Sequence, residues 1–205
     1  MISIVGYGMG NVQSVVNALD HIGVPNTVAE EPGTLASADK ILLPGVGAFR
    51  RAMDRLEERG FAAALCDAAA AGTPILGICL GMQLLATTGT EFGEAPGLDL
   101  IPGRVERIPV AEGQRLPHMG WNDLDLRRDD PLLAGLDARS DTACYFVHSF
   151  HLVPEDETAI SATCDYGATV TVTATVSAGS VFGAQFHPEK SQAVGLAILT
   201  NFANL

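Results

Sequence analysis

Along the first eighty residues, short apolar runs alternate with longer stretches whose apolar positions recur every three or four residues. The runs are 2–5, "NTVAE" (26–30), "KILLPG" (40–45) and "TPILGIC" (73–79). Each predicts a short strand. Between them, "NVQSVVNALDHIG" (11–23) sets Val15, Val16 and Leu19 at helical spacing and ends on Gly23, a helix with its stop. "AFRRAMDRLEERG" (48–60) and "FAAALCDAAAAG" (61–72) are rich in helix formers, and each closes on Gly. "LGMQLLATT" (80–88) follows the fourth run directly and is a further helix candidate. Strands alternating with helices argue for a parallel sheet covered on both faces.

After about residue 97 the pattern changes. "LDLIPGRVERIPV" (98–110), "CYFVHSFHLV" (144–153), "TAISATC" (158–164), "TVTVTATVS" (169–177) and "SVFGAQF" (180–186) are strand-like and punctuated by Gly, Pro and Asp. They read as antiparallel additions to the same sheet, and "SQAVGLAILTNFANL" (191–205) as a closing helix. No repeat, low-complexity linker or composition break interrupts 1–205, so one domain is expected.

Composition narrows the range of partners. With 12 basic and 24 acidic residues the net charge is −12, which disfavours nucleic acid and anionic membranes, both bound chiefly through Lys and Arg. No apolar stretch is long enough for a membrane span, and the N-terminal residues lack the pattern of an export signal. The four cysteines, Cys66, Cys79, Cys144 and Cys164, form no C-x-x-C pair. Reduced thiols and a cytoplasmic location are expected.

Two glycine-rich turns invite a chemical reading. "IVGYGMGN" (4–11) approaches the dinucleotide-binding pattern but lacks its third glycine, and tight strand-to-helix turns use glycine in any case. "ILGICLGMQLL" (75–85) has the form glycine-x-nucleophile-x-glycine around Cys79. Small flanking residues are needed where a strand turns abruptly into a helix and exposes a nucleophile. Partial positive charge at the helix start favours a thiolate there. Taken alone, the same glycines fit a buried structural cysteine equally well.

A cysteine nucleophile needs a base, and the base an acceptor that orients it. Of five histidines, His21 lies on a helix and His118, His148 and His151 have no acid two residues on; His187 has Glu189. Pro188 biases His187 toward extended backbone, in which residues i and i+2 point the same way. If His187 is the base, activity is expected to fall as the imidazole protonates below neutrality. Donors for an oxyanion are available from the amide of Leu80 and from "PGVG" (44–47).

"PGVGAF", "GICLGMQLL" and "FGAQFHPEKS", in that order, resemble the triad-type (class I) glutamine amidotransferase family. "YGMGN" (7–11), "PHMGWN" (117–122) and "YFVHSF" (145–150) are similar, more narrowly, to its glutaminase subunits of imidazole glycerol phosphate synthase, an enzyme of histidine biosynthesis. The resemblance implies a doubly wound, flavodoxin-like α/β fold that hydrolyses glutamine to glutamate and ammonia. It implies Cys79 as the nucleophile forming a glutamyl thioester, His187 as base and then acid, and Glu189 as its support. Val46 and Leu80 are implied as the oxyanion hole, and Gly47, Gln83 and Glu91 as the glutamine site. No cofactor and no metal are implied. The partner would be a (β/α)8-barrel cyclase/synthase subunit, in a heterodimer, that receives the ammonia. Lys190 matches a lysine that pairs with an acid on that partner, and Asn11, His118, Met119, Trp121 and Tyr145 fall in blocks associated with the interface. The chain departs from the pattern at Phe150 and His151, where aromatic hydroxyls are commoner, and at "GATVTVTATVS" (167–177), read as an atypical strand pair.

Overall fold

The computed structural model describes residues 1–110, 114–137, 142–167 and 170–205. Its strands are β1 (Ile2–Val5), β2 (Asn26–Ala29), β3 (Lys40–Gly45), β4 (Ile75–Cys79), β5 (Ala86–Gly89), β6 (Ala95–Pro96), β7 (Ile101–Arg107) and β8 (His118–Asp123). They continue with β9 (Asp125–Leu126), β10 (Ala143–His148), β11 (Phe150–Pro154), β12 (Ile160–Tyr166), β13 (Val170–Ala178) and β14 (Val181–Ala184). The helices are α1 (Val12–His21), α2 (Phe49–Glu58), α3 (Phe61–Ala70), the single turn α4 (Leu80–Gln83) and α5 (Gln192–Asn204). No helix among the described residues is long and apolar enough to cross a membrane.

The main sheet has the order β2-β1-β3-β4-β14-β13-β12-β9. Its first five strands are parallel, and β13, β12 and β9 add on antiparallel. Side chains alternate between two apolar layers. Ile4, Leu42, Leu76 and Ile78 pack with Val15, Leu19, Ile198 and Phe202 of α1 and α5. Val5, Ile41, Leu43 and Ile75 pack on the opposite side with Phe49, Met53, Phe61 and Leu65 of α2 and α3. Both faces of the parallel half are therefore covered, as its continuous apolar strands require.

Four expectations are corrected. The later strands do not all join the main sheet: among the described residues, β11-β7-β5-β6 and β10-β8 form two further sheets. The run 144–153 is divided at Ser149, whose carbonyl accepts the amide of Ile108 and turns the chain from β8's partner into β7's partner. The helix expected over 80–88 stops after one turn. The carbonyls of Leu84, Leu85 and Ala86 accept amides from 98–101 instead of continuing helically, so Ala86–Gly89 becomes strand. "TVTVTATVS" is one nine-residue strand, not a pair, and is hydrogen-bonded on both sides. Residues 168 and 169, at its start, lie outside the described residues.

At the C-terminal end of β4, Cys79 takes φ 55° and ψ −113°, left-handed backbone that costs a non-glycine residue about 1–3 kcal/mol. The turn is crowded. A Cβ on Gly81 would lie 1.9 Å from the Leu43 carbonyl oxygen, and one on Gly77 2.6 Å from the Gly81 oxygen. The two glycines around the thiol are thus required by backbone-on-backbone packing against β3 and α4. Gly81→Ala is expected to destabilise the chain by about 3 kcal/mol or more; an unchanged urea midpoint would show that the turn can give way.

Candidate active site

Cys79 opens on a cavity of about 310 Å³ whose wall includes Val46, Gly47, Leu80, Gln83, Glu91, His148, Phe150 and His187. Both oxyanion candidates, all three glutamine-site candidates and two of the triad candidates therefore meet in one place. The cavity lies beyond the carboxyl ends of β3 and β4, as expected for an open α/β sheet.

His187 follows β14 with φ −99° and ψ 95°, extended as its neighbour Pro188 favours. The carboxylate arrives differently from the sequence reading. Pro188–Lys190 forms a 3-10 turn, and this curl, not an extended strand, brings Glu189 back to the imidazole. His187 Nδ1 donates to Glu189 Oε1 at 2.8 Å, with both side chains buried. Ser191, fully buried, secures the turn: its hydroxyl donates to the His187 carbonyl at 2.7 Å and accepts the Tyr145 amide at 2.9 Å. The His187 amide in turn donates to the Tyr145 carbonyl.

His187 Nε2 is buried and makes no hydrogen bond of ordinary geometry; the group that acts on it is the Cys79 sulfur. Burial pulls the imidazole pKa down, but Cys79 and Glu189 outweigh it and raise the value to about 9. With its value raised to about 9, His187 is expected to lose its proton on the alkaline side, in place of the acid-side loss expected from the sequence.

The other histidines near the cavity are the reverse case. His148 Nδ1 and the Phe150 carbonyl lie 2.9 Å apart, so that nitrogen must carry the proton. His148 Nε2 then accepts from His118 Nδ1 at 2.9 Å, and His118 Nε2 accepts from Asn122 Nδ2 at 2.7 Å. Only one set of neutral tautomers satisfies this chain. Burial lowers His148 to about 3 and His118 to about 4.

The glutamine-site candidates are already engaged with the protein. Gln83 Nε2 donates to the Phe150 carbonyl at 2.9 Å and to Gln185 Oε1 at 3.0 Å, leaving its own oxygen as the free polar atom. Glu91 Oε2 accepts the Phe49 amide at 2.9 Å, which ties the start of α2 to the cavity. The departure at Phe150 touches none of this, since its backbone oxygen makes the contacts. His151 is buried, where its Nδ1 accepts the Thr173 amide at 3.4 Å.

Of the interface candidates, Met119 is 62% and Trp121 47% exposed on β8. Tyr145 sits opposite Trp121 in register, their rings 5.9 Å apart, and Lys190 Nζ lies 6.0 Å from the Tyr145 ring. These form a continuous surface strip beside the His187 turn. Asn11 is exposed at the start of α1. His118 departs from this group: it is 2% exposed and faces inward. In the "GYGMGN" loop Tyr7 is buried and Gly10 packs closely on Pro44, while Met9 lies against Gly47. None of the four cysteines is in a disulfide. Among the described residues no three His, Cys, Asp or Glu side chains are grouped to hold a metal.

Sequence reasoning missed Gln185, Ser191 and Tyr7. The phenol of Tyr7 is buried without a partner, and burial, then the Cys79 charge, holds it protonated. Gln185 carried a readable signal, a polar side chain at the end of a buried run.

An α/β sheet presenting a buried thiol and imidazole at one cavity, the imidazole backed by a carboxylate, defines a cysteine enzyme of acyl transfer. The family model of class-I glutamine amidotransferases matches residues 3–204. Relatives named imidazole glycerol phosphate synthase subunit HisH include that of Syntrophotalea carbinolica, 48% identical with all of both chains covered. That of Moorella thermoacetica is 46% identical over all of this chain and 94% of its own, and that of Streptococcus gordonii 49% identical over 98% and 95%. A solved glutamine amidotransferase shares the fold at TM-score 0.75 and 20% identity, covering 100% and 99% of the two chains. A chain of PurLQS from Thermotoga maritima does so at 0.74 and 20%, covering 99% and 97%. The chain belongs to the class-I glutamine amidotransferases and, within them, to the family of imidazole glycerol phosphate synthase HisH subunits.

The site yields two expectations. His187 is raised above its ordinary 6.5, so its protonated form prevails through neutrality and is lost as pH rises through about 9. Glutamine turnover should fall near pH 9, and Glu189→Gln should move that limb down; an acid limb near 6.5 that follows His187 would contradict this. Stability obeys the same signs. The His187 contribution is full below 6.5 and lost on rising through about 9, while the lowered His148 and His118 contribute above 6.5 and lose that as pH falls toward about 3 and about 4 respectively. Melting temperature should decline on both sides of about 6.5; a plateau from pH 4 to 9 would count against it.

Proposed function

We propose that this chain is the glutaminase subunit of an imidazole glycerol phosphate synthase, acting as one domain over 1–205 and handing ammonia to a (β/α)8-barrel synthase subunit in a heterodimer. The observation that carries the reading is the pair Cys79 and His187 on one cavity, with Glu189 bonded to His187 behind it, next to an exposed apolar strip. The names of the relatives supply the synthase and its place in histidine biosynthesis.

In this reading Cys79 attacks the side-chain carbonyl carbon of glutamine. The oxygen gathers negative charge facing the amides of Leu80 and Val46, and protonated His187 gives its proton to the departing ammonia. Water, deprotonated by the now neutral imidazole, cleaves the thioester and releases glutamate. Glu189 holds the ring orientation and favours its charged form. Gly47, the free oxygen of Gln83 and the remaining oxygen of Glu91 position the substrate. Met119, Trp121, Tyr145, Lys190 and Asn11 form the partner face, and His118 supports β8 from within. Four cysteines without a disulfide favour a cytoplasmic setting.

Cys79→Ala should leave the fold and the partner complex intact and lower glutamine-dependent synthase turnover by about a thousandfold or more. Synthase turnover fed by ammonium salt should persist. Glutamine-dependent turnover at the wild-type rate would remove Cys79 from the chemistry.

A further inference from the structure

Gln185 is a whole amide with 0% exposure, and such a group is costly to bury unless both its ends are bonded. Its backbone N–H is spent on the Ala174 carbonyl at 2.8 Å. Its side chain does not line the cavity. Instead Oε1 accepts from Gln83 Nε2 at 3.0 Å, and Nε2 donates to the Cys79 sulfur at 3.9 Å.

The orientation of this amide is forced. Reversing it would set NH2 against the NH2 of Gln83 and an oxygen lone pair against the nucleophilic sulfur. Gln83 is itself pinned, because its second N–H goes to the Phe150 carbonyl, which also receives His148 Nδ1. The fixed tautomers of His148 and His118 and the amide of Asn122 hold that end. Two donors therefore converge on the Phe150 carbonyl, His148 from the β8 side and Gln83 from the other, and Gln83 in turn orients Gln185 so that its N–H faces the sulfur.

We propose that Gln185 is a positioning residue for Cys79: its N–H holds the sulfur at the cavity wall and stabilises the thiolate that attacks. No bond is made or broken at Gln185. Since Gln185 does not line the cavity, its loss lowers kcat and leaves KM nearly alone, whereas a substrate-binding residue would move KM.

The test uses the full chain with iodoacetamide as probe, following alkylation of the Cys79 peptide by mass spectrometry from pH 5 to 10. Gln185→Met keeps the volume and removes both polar ends; Gln185→Glu keeps the acceptor for Gln83 and replaces the donor with an acceptor. The half-maximal pH of alkylation is expected to rise by about half a unit in the first and by about one unit or more in the second. The limiting alkaline rate should be unchanged or up to about threefold higher, because a more basic thiolate is more nucleophilic. Structural damage alone would lower that limiting rate without moving the midpoint. In the complex, kcat for glutamine should fall about tenfold or more with KM within about threefold. This kinetic arm rests on the glutaminase reading; wild-type protein without glutamine turnover would defeat that reading and leave the alkylation arm to decide on Gln185. If Gln185→Met does not fold, Gln185→Glu carries the test. An unmoved midpoint in a folded variant, or a loss confined to KM, overturns the proposal.

Discussion

Everything at the site depends on how closely the turn at Cys79 lies against strand β3. The Gly81 backbone stands where a Cβ would meet the Leu43 carbonyl, and a Cβ on Gly45 would be 2.8 Å from the Gly81 amide. Backbones packed at this distance leave the turn one course. It ends β4 abruptly, holds Cys79 in a left-handed conformation and puts the thiol at the end of the sheet. The same contact brings "PGVG" at the end of β3 to the cavity mouth. The proposed nucleophile and oxyanion loop are thereby placed by one packing event between two neighbouring parallel strands.

The proposed base, His187, reaches that point from a distant part of the sequence, through the sheet. β14 pairs with β4 from Val181↔Ile75 to Ala184↔Ile78, so the chain leaves β14 beside the elbow and Gln185 and His187 follow within reach of the sulfur. The 3-10 turn then recovers Glu189, and α5 seals it. A Cβ on Gly195 would lie 2.0 Å from the Pro188 oxygen, so the helix rests directly on the turn.

What the sequence showed and what it hid follow this division. β1 to β4 and α1 to α3 were legible because each buries its own periodic face. Cys79 with its glycines and His187 with Glu189 were legible because the chemistry is packed into a few consecutive residues. The helix expected over 80–88 failed because amides from 98–101 claim its carbonyls, a choice made by tertiary contact that no local propensity records. Ser149 divides two strands for a similar reason. Gln185 pairs with Gln83 and Cys79 across about a hundred residues of sequence, and Ser191 acts through the backbone of His187 and Tyr145. These partners are invisible to spacing rules. Glu189 was found by a spacing argument whose geometry differed, since a turn does what an extended segment was expected to do.

Three buried histidines around one cavity take opposite states, and their acceptors explain why. His148 and His118 face carbonyl, imidazole and amide groups, none of which carries charge, so desolvation governs and both stay neutral. His187 is also desolvated but stands between a carboxylate and a sulfur, and their charges outweigh the burial. A neutral pair cannot protonate ammonia on its way out, and a charged His187 can protonate it as it leaves the carbon. The separation matters because both kinds of ring sit on the same cavity wall: His148 and His187 line it together. If a carboxylate stood beside His148, its proton would become available and the two roles would merge. The asymmetry is fixed by Cys79 and Glu189 on one side and by the chain from Asn122 to the Phe150 carbonyl on the other.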